Sequence, residues 1–443
     1  MIDLSPEFLT ILMLVGLLIG IFIGHHIAFV LGGVAVLVGY VGWGPAIFGL
    51  FPTRIYGVMD NYVLLAIPLF IFMAQFLDSS GITENLFTAL RFLLGPIRGG
   101  IGISVVIVST IFAACTGIIG ASVVTMGLLA LPMMLKYGYS KQLSSGVVCA
   151  GGTLGILIPP SIMLVVMGGQ AQLSVGKLFA GAIIPGLMLS SLYIVYVGVR
   201  CFINPEYGPP VSKEERATVS HIDIFIMVCK SLLPPSILII GVLGSLFTGI
   251  ATPTEASGAG ALLAFLMVVA YGKFSWEGLY QAAVRTAKAS TMVLIIVVGA
   301  SCFTGVFLAI GGGKVVTSFV MGLGLGKWGI FWLMMLIVFL LGMFIDWIGI
   351  VLICFPLFLP IAGNLGFDPL WFVIMMAINL QASFLTPPFG YALFYLKGIN
   401  IPELGIVDIY KGIWPFIALM ILGLILCVLF PQTVTYLPSV LVK

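Results

Sequence analysis

Four short segments of the chain place glycine, proline and small hydroxyl side chains inside otherwise apolar sequence. Two of them are TGIIGAS, Thr116–Ser122, and IDWIG, Ile345–Gly349. The other two contain a proline pair each, GGTLGILIPP at Gly151–Pro160 and QASFLTPPFG at Gln381–Gly390. Proline removes an N–H group and glycine permits a sharp turn, so each segment is expected to interrupt a helix and leave backbone carbonyl groups unpaired.

Carbonyl and hydroxyl oxygens at such interruptions can bind a small cation, and without a full carboxylate cage they suit Na⁺. The candidate Na⁺ ligands are Thr116, Gly117, Ser122, Gly151, Gly152, Thr153, Asp346, Gly349, Gln381, Ala382 and Thr386. For the glycine and threonine residues of the first half, the alternative is that they only let helices pack closely.

Asp346 lies within a long apolar run. An ionisable side chain near the middle of a bilayer costs at least about 2.5 kcal/mol on insertion scales unless it has a partner. Asp346 is therefore expected to bind a cation or to carry a proton, and a structural role is the alternative.

None of the four segments contains Lys or Arg. A bound anion would then depend on helix N-termini, hydroxyl groups and nearby cations. The candidate anion-binding residues are Ser122, Thr125, Thr153, Ser161, Ser383 and Thr386. If Na⁺ supplies the missing positive charge, anion and Na⁺ bind interdependently.

The composition of the chain indicates that these segments lie in a lipid bilayer. Of 443 residues, 61% are apolar and 7% are charged, whereas soluble domains carry about a quarter charged residues. The chain is thus predicted to be an all-α polytopic membrane protein. A net charge of +3 spread over this length offers no basic stripe for a nucleic acid.

Ten apolar runs can each cross a bilayer once. They are Phe8–Gly24, Ile27–Trp43, Tyr62–Leu77, Gly146–Met167, Leu178–Val199, Leu233–Phe247, Ala256–Tyr271, Ser290–Ile310, Leu370–Leu396 and Ile413–Phe430. Two longer runs, Ile103–Met134 and Phe331–Leu359, are interrupted near their middle and are predicted to be re-entrant hairpins. The runs 146–167 and 370–396 contain the proline pairs and are predicted to be broken helices.

The distribution of basic residues sets the expected orientation. Thirteen Lys and Arg residues fall on one face of this arrangement and five on the other, namely Arg54, Lys177, Lys314, Lys327 and Lys443. The first face is therefore expected in the cytoplasm and both termini on the outer side. The amphipathic stretch Ile82–Arg98 is expected to lie on the cytoplasmic surface.

A register of 228 residues relates two parts of the chain without a gap. It aligns Pro132 with Pro360, Gly138 with Gly366, and the first proline pair with the second. Residues 1–203 and 224–443 are accordingly predicted to be two repeats joined by a cytoplasmic linker, 204–223. Five crossings per repeat, an odd number, invert the second repeat, which is typical of secondary transporters.

These residues give the chain a resemblance to the large membrane subunit of the tripartite ATP-independent periplasmic (TRAP) transporters. The resemblance covers nearly the whole chain and rests on the FAA…TG…GAS tip, GGTLGILIPPSI, TPTEA and LTPPFG. It implies an elevator-type carrier in the bacterial inner membrane that takes up an organic acid with Na⁺. It also implies two partners, a periplasmic substrate-binding protein and a small four-helix membrane subunit, and no cofactor besides the coupling ion.

Two other functions stay open at this stage. A self-sufficient Na⁺/dicarboxylate-type symporter would share inverted hairpins and would need no partner. An intramembrane enzyme would require a nucleophile with a base, or two facing carboxylates, and the apolar runs provide one mid-membrane Asp.

Overall fold

A computed structural model of the chain describes residues 4–212, 220–388 and 390–442. The charged run Lys213–Arg216 of the predicted linker lies outside these ranges. Within them all regular structure is helical. The helices are α1 Pro6–Phe22, α2 Ile27–Trp43, α3 Leu50–Met59, α4 Ala66–Ser79, α5 Ile82–Leu94, α6 Gly100–Thr116, α7 Ile119–Lys136, α8 Lys141–Thr153, α9 Ile162–Ala171, α10 Val175–Ile203, α11 His221–Phe247, α12 Pro253–Ala270, α13 Trp276–Ala309, α14 Gly312–Gly322, α15 Gly326–Gly342, α16 Trp347–Asn364, α17 Pro369–Ser383, α18 Tyr391–Gly398, α19 Ile406–Leu429 and α20 Gln432–Leu441.

Nine helical stretches of the described residues are long and apolar enough to cross a membrane. The prediction of an all-α polytopic membrane protein is thereby confirmed. The first of these stretches, Ile27–Met59, joins α2 and α3 through a short 3₁₀ segment.

Local capping groups fix where several helices begin. Ser5 accepts a hydrogen bond from Phe8 N at the start of α1. At the start of α12, Thr252 N donates to Glu255 Oε2 at 2.8 Å and Glu255 N donates to Thr252 Oγ1. This reciprocal pair is a capping box, which gives the TPTEA motif a structural role at the helix start.

The two segments predicted as hairpins each form two helices with a short break between them. The pair α6 and α7 covers 100–136, and the pair α15 and α16 covers 326–364. Both pairs extend beyond the predicted bounds because basic flanking residues belong to them. Lys327, for example, lies in the first turn of α15 and donates from Nζ to Gly366 O at 3.1 Å.

The 228-residue register is visible in the geometry. Helices α7 and α16 have 18 residues each, and α16 begins 228 positions after α7. The register pair Gly138 and Gly366 adopts the same left-handed conformation, with φ of 75° and 70°.

The helices pack mainly within two groups. Helices α1–α5 and α11–α14 form one group, called here the frame. Helices α6–α10 and α15–α20 form the other, called here the hairpin unit. The two groups meet where α4, α5, α11, α13 and α14 of the frame contact the hairpin unit, mainly at α6, α9 and α16. The tips of both hairpins lie at this boundary.

Candidate functional site

A cavity of about 230 Å³ lies between the two hairpin tips and the frame. The first tip contributes Gly117–Gly120, the second contributes Asp346–Ile348, and helices α4 and α13 form the opposite wall. The lining residues are Ile71, Gly117, Ile118, Ile119, Gly120, Ile162, Ala289, Met292, Val293, Asp346, Trp347, Ile348, Tyr391 and Tyr395. The cavity is therefore mostly apolar, and both tips lie against the same space.

Directly behind the first tip, three oxygen atoms form a buried cluster. Thr116 Oγ1 and Ser122 Oγ are 3.1 Å apart, and Ser122 Oγ donates to Ile118 O at 3.0 Å. The turn itself needs Gly117, whose φ is +62° and whose missing Cβ would lie 3.1 Å from Pro160 O. The first tip is thus packed directly onto the first proline-pair segment.

The second tip carries a carboxylate at the position that Ile118 occupies in the first. Asp346 is half-buried, and its Oδ2 accepts a hydrogen bond of 3.4 Å from Ile348 N at the start of α16. Helix α7, in contrast, begins at Ile119, and the preceding Ile118 provides no capping side chain. The N–H groups of the first turn of α7 are therefore available to an anion, while the second tip presents a negative charge.

Gln381 and Thr153, one from each proline-pair segment, meet in the interior. Gln381 is fully buried, and its Nε2 donates to Thr153 Oγ1 at 3.4 Å. Its Oε1 has no hydrogen-bond partner within the described part of the chain. A buried unpaired amide oxygen is costly, and a cation ligand is one physical reason to keep it.

The glycine residues of the sites have packing roles. A Cβ at Gly151 would lie 2.7 Å from Ser109 Oγ, and one at Gly152 would collide with Val123 of α7. At Gly349, a Cβ would collide with the Ile27 side chain of the frame. Close packing therefore accounts for these three glycines, and a role of their carbonyl groups in Na⁺ binding stays a prediction.

Most of the candidate hydroxyl groups bond to backbone carbonyl groups three to five residues earlier in the chain. Ser383 donates to Leu380 O and Thr386 donates to Ala382 O, both at 2.8 Å. Ser161 donates to Ile156 O and caps α9.

Thr125 lies away from the tips, where its Oγ1 donates to Asp78 Oδ1 of α4 at 3.0 Å. Within the described residues, none of the six candidate anion-binding hydroxyl residues lines the cavity. Their contact with a substrate stays a prediction.

The sequence analysis did not identify Tyr391 and Tyr395 as site residues. They follow the second proline pair at a spacing of four, so they share one face of α18, and both line the cavity. That spacing just after a helix break is the signal that would have identified them.

Comparisons with known proteins give the family. Residues 10–433 match the family model described as the tripartite ATP-independent periplasmic transporter, DctM component. The C4-dicarboxylate TRAP transporter large permease protein of Pseudomonas aeruginosa is 31% identical over 87% of each chain. Its counterpart in Vibrio cholerae is 30% identical over 86% of each chain.

Other relatives are named as permeases for different organic acids. Their names give isethionate, sialic acid and 2,3-diketo-L-gulonate. Among solved structures, the YdaH transporter of Alcanivorax borkumensis has the same fold, with a TM-score of 0.65 at 14% identity, over 97% of this chain and 100% of that one. On its sequence, this multi-span membrane protein belongs to the DctM family, the large permease subunits of TRAP transporters.

Proposed function

We propose that the chain is the permease of a Na⁺-coupled importer of a small organic acid anion. The observation that carries this proposal is Asp346, a carboxylate in the wall of an otherwise apolar cavity. A cavity whose wall contains a single negative charge and no positive charge attracts a cation. An anion can then enter only when that charge is compensated, which couples the two ligands.

Two sets of residues would hold Na⁺. In the first repeat they are Thr116, Ser122 and the carbonyl of Ile118, where Ser122 Oγ already lies within hydrogen-bond distance of the other two oxygens. In the second repeat they are Asp346 and the residues around Gln381, whose buried Oε1 is unpaired within the described residues. Bound Na⁺ supplies positive charge that the cavity wall does not contain.

The import step requires the tips to reach both membrane surfaces in turn. The hairpin unit contains both tips and packs mainly within itself, which supports an elevator movement of that unit against the frame. We place both termini on the outer side, since that orientation puts thirteen of the 18 Lys and Arg residues in the cytoplasm.

Membership of a tripartite family supports two partners, a periplasmic substrate-binding protein and a small four-helix membrane subunit. The frame exposes large apolar side chains, such as Phe29 and Leu37 of α2, that a second membrane subunit could cover. The isethionate relative, named DctMQ, is longer, and this chain matches 58% of its length. That extra length would accommodate a fused second subunit.

Uptake by reconstituted liposomes tests the proposal. We expect uptake only with an inward Na⁺ gradient, the small subunit and a substrate-loaded binding protein together. Uptake that is unchanged when choline replaces Na⁺ would overturn the coupling. Robust Na⁺-driven uptake by this chain alone would instead identify a self-sufficient symporter.

A further inference from the structure

Of the two tyrosine residues of α18 that line the cavity, Tyr395 packs against the first tip. A Cβ on Gly120 would lie 2.9 Å from Tyr395 Cζ, the ring carbon that bears the hydroxyl group. Tyr391 packs edge-on against Phe384, with ring centroids 5.7 Å apart. Both aromatic rings are thus positioned by packing, and the ring of Tyr395 lies beside the uncapped start of α7.

Within the described residues, neither hydroxyl group of this pair makes a hydrogen bond. Three tyrosines outside the cavity do make such a bond. Tyr410 OH donates to Pro388 O, Tyr271 OH donates to Lys230 O, and Tyr139 OH accepts from Ile101 N. The tyrosine pair of the cavity therefore has two donors free for a ligand.

The rest of the cavity limits what that ligand can be. Its volume of about 230 Å³ is below the range of roughly 300–1,000 Å³ that is usual for drug-sized ligands. Ile118, Ile162, Met292 and Val293 are among the apolar residues that line it. A sugar acid would leave most of its hydroxyl groups unpaired against such walls, which opposes binding.

The charge of the cavity further restricts the class of ligand. Tyr395 lies against the first tip, Tyr391 lines the same cavity, and Asp346 lies at the second tip. One carboxylate of a ligand can accept hydrogen bonds from the two phenols, with Na⁺ beside Asp346. Besides the phenols, the indole N–H of Trp347 is a side-chain donor among the described lining residues. Trp347 is the chain neighbour of Asp346, so a second carboxylate placed there would be repelled by Asp346.

We propose that Tyr391 and Tyr395 donate hydrogen bonds to the carboxylate of the substrate and that this site selects small monocarboxylates with an apolar body, against dicarboxylates and sugar acids. The assignment rests on the proposed function, since it takes the cavity as the transport site.

The purified full chain in lipid nanodiscs tests this through binding, with 4-methyl-2-oxopentanoate, succinate and gluconate as probes in NaCl. We expect 4-methyl-2-oxopentanoate to bind at least tenfold more tightly than the other two. Tyr391→Phe and Tyr395→Phe should each weaken its binding about tenfold, because each loses one hydrogen bond to a charged group. Tyr410→Phe is the matched control, as its hydroxyl group bonds to Pro388 outside the cavity, and should leave affinity unchanged.

The possible failures can be told apart. Na⁺ binding is measured first, as a higher melting temperature in NaCl without any acid than in choline chloride. If Na⁺ binds but succinate or gluconate binds most tightly, or no probe binds, the assignment of the substrate class is overturned. Unchanged affinity in both Phe variants overturns the role of the tyrosine pair. If NaCl has no effect on melting, Na⁺ coupling fails, whereas the ranking of the three acids still decides the substrate class.

Discussion

Gln381 donates a hydrogen bond of 3.4 Å to Thr153, and these two residues are register equivalents, 228 positions apart. Two equivalent positions of a repeat can touch only where the axis that relates the repeats passes between them. The pair therefore marks the centre of the hairpin unit, where both proline-pair segments converge. The amide nitrogen of Gln381 has its hydrogen-bond partner in this contact, whereas Gln381 Oε1 has none within the described residues.

Replacing the buried amide tests whether that oxygen binds Na⁺. Gln381→Met keeps the shape of the side chain and removes Oε1, and we expect the Na⁺ concentration for half-maximal uptake to rise at least fivefold. Asn379→Leu is the control, because this amide on the same helix donates to Met335 O at 2.7 Å. It should lower the melting temperature without changing the Na⁺ requirement. Equal Na⁺ activation in Gln381→Met and the wild type would show that the oxygen has no role in coupling.

Neutralising Asp346 should uncouple the carrier without unfolding it. Asn also caps helices well, so Asp346→Asn removes the charge and retains the start of α16. We expect Na⁺ activation of uptake to be lost or weakened more than tenfold. Asp368→Asn is a matched change, since Asp368 caps α17 by accepting a hydrogen bond of 2.8 Å from Trp371 N. Asp368 does not line the cavity, so this variant should transport normally. Wild-type Na⁺ activation in Asp346→Asn would assign Asp346 a structural role.

Adding one methyl group at Gly152 should destabilise the hairpin unit. Its Cβ would collide with Val123 of α7, and overpacking of this kind costs roughly 1–3 kcal/mol. Gly33→Ala, within α2, meets nothing within 4 Å and should be neutral or stabilise by up to about 1 kcal/mol, because alanine favours a helix over glycine. Thermal unfolding in detergent compares the two. A Gly152→Ala protein as stable as the wild type would mean that α7 and α8 can separate at little cost.

The bond between Thr125 and Asp78 joins the hairpin unit to the frame. If the unit moves as an elevator, this bond must break. Removing the bond lowers the stability of the arrangement described here by about 1 kcal/mol. Thr125→Val should then speed departure from this arrangement about fivefold. Single-molecule fluorescence between labels on α3 and α18 would measure that rate. Thr88→Val, which removes a hydrogen bond within α5, should have no such effect. Equal rates in both variants would show that the bond between Thr125 and Asp78 does not hold the hairpin unit in place.

The sequence predicted the positions of the helix breaks because the physical cause is local. Glycine and proline act on their own backbone, so TGIIGAS and the proline pairs could be assigned without knowing what surrounds them. The same residues revealed the register, and α7 and α16 begin 228 positions apart. The family followed from these motifs and is confirmed by the comparisons.

Side-chain direction could not be predicted in the same way, because it depends on neighbours that are distant in sequence. Thr125 has the right chemistry and lies near the tip in sequence, yet α4 lies beside it and supplies Asp78 as its partner. Tyr391 and Tyr395 were included in an apolar crossing, and their spacing of four indicates only that they share a face of α18, not what that face contacts. Only the packing of α18 against the first tip brings them to the cavity.

Helix α13 has 34 residues, which corresponds to a length of about 51 Å, whereas the hydrocarbon layer is about 30 Å thick. Glu277, Arg285 and Lys288 all belong to its first half and are best solvated outside that layer. Ala289, Met292 and Val293, which line the cavity, then lie close to the lipid boundary on that side. The cavity is consequently closer to the aqueous compartment at the start of α13 than to the one on the far side, so the two diffusion paths from it to water differ in length.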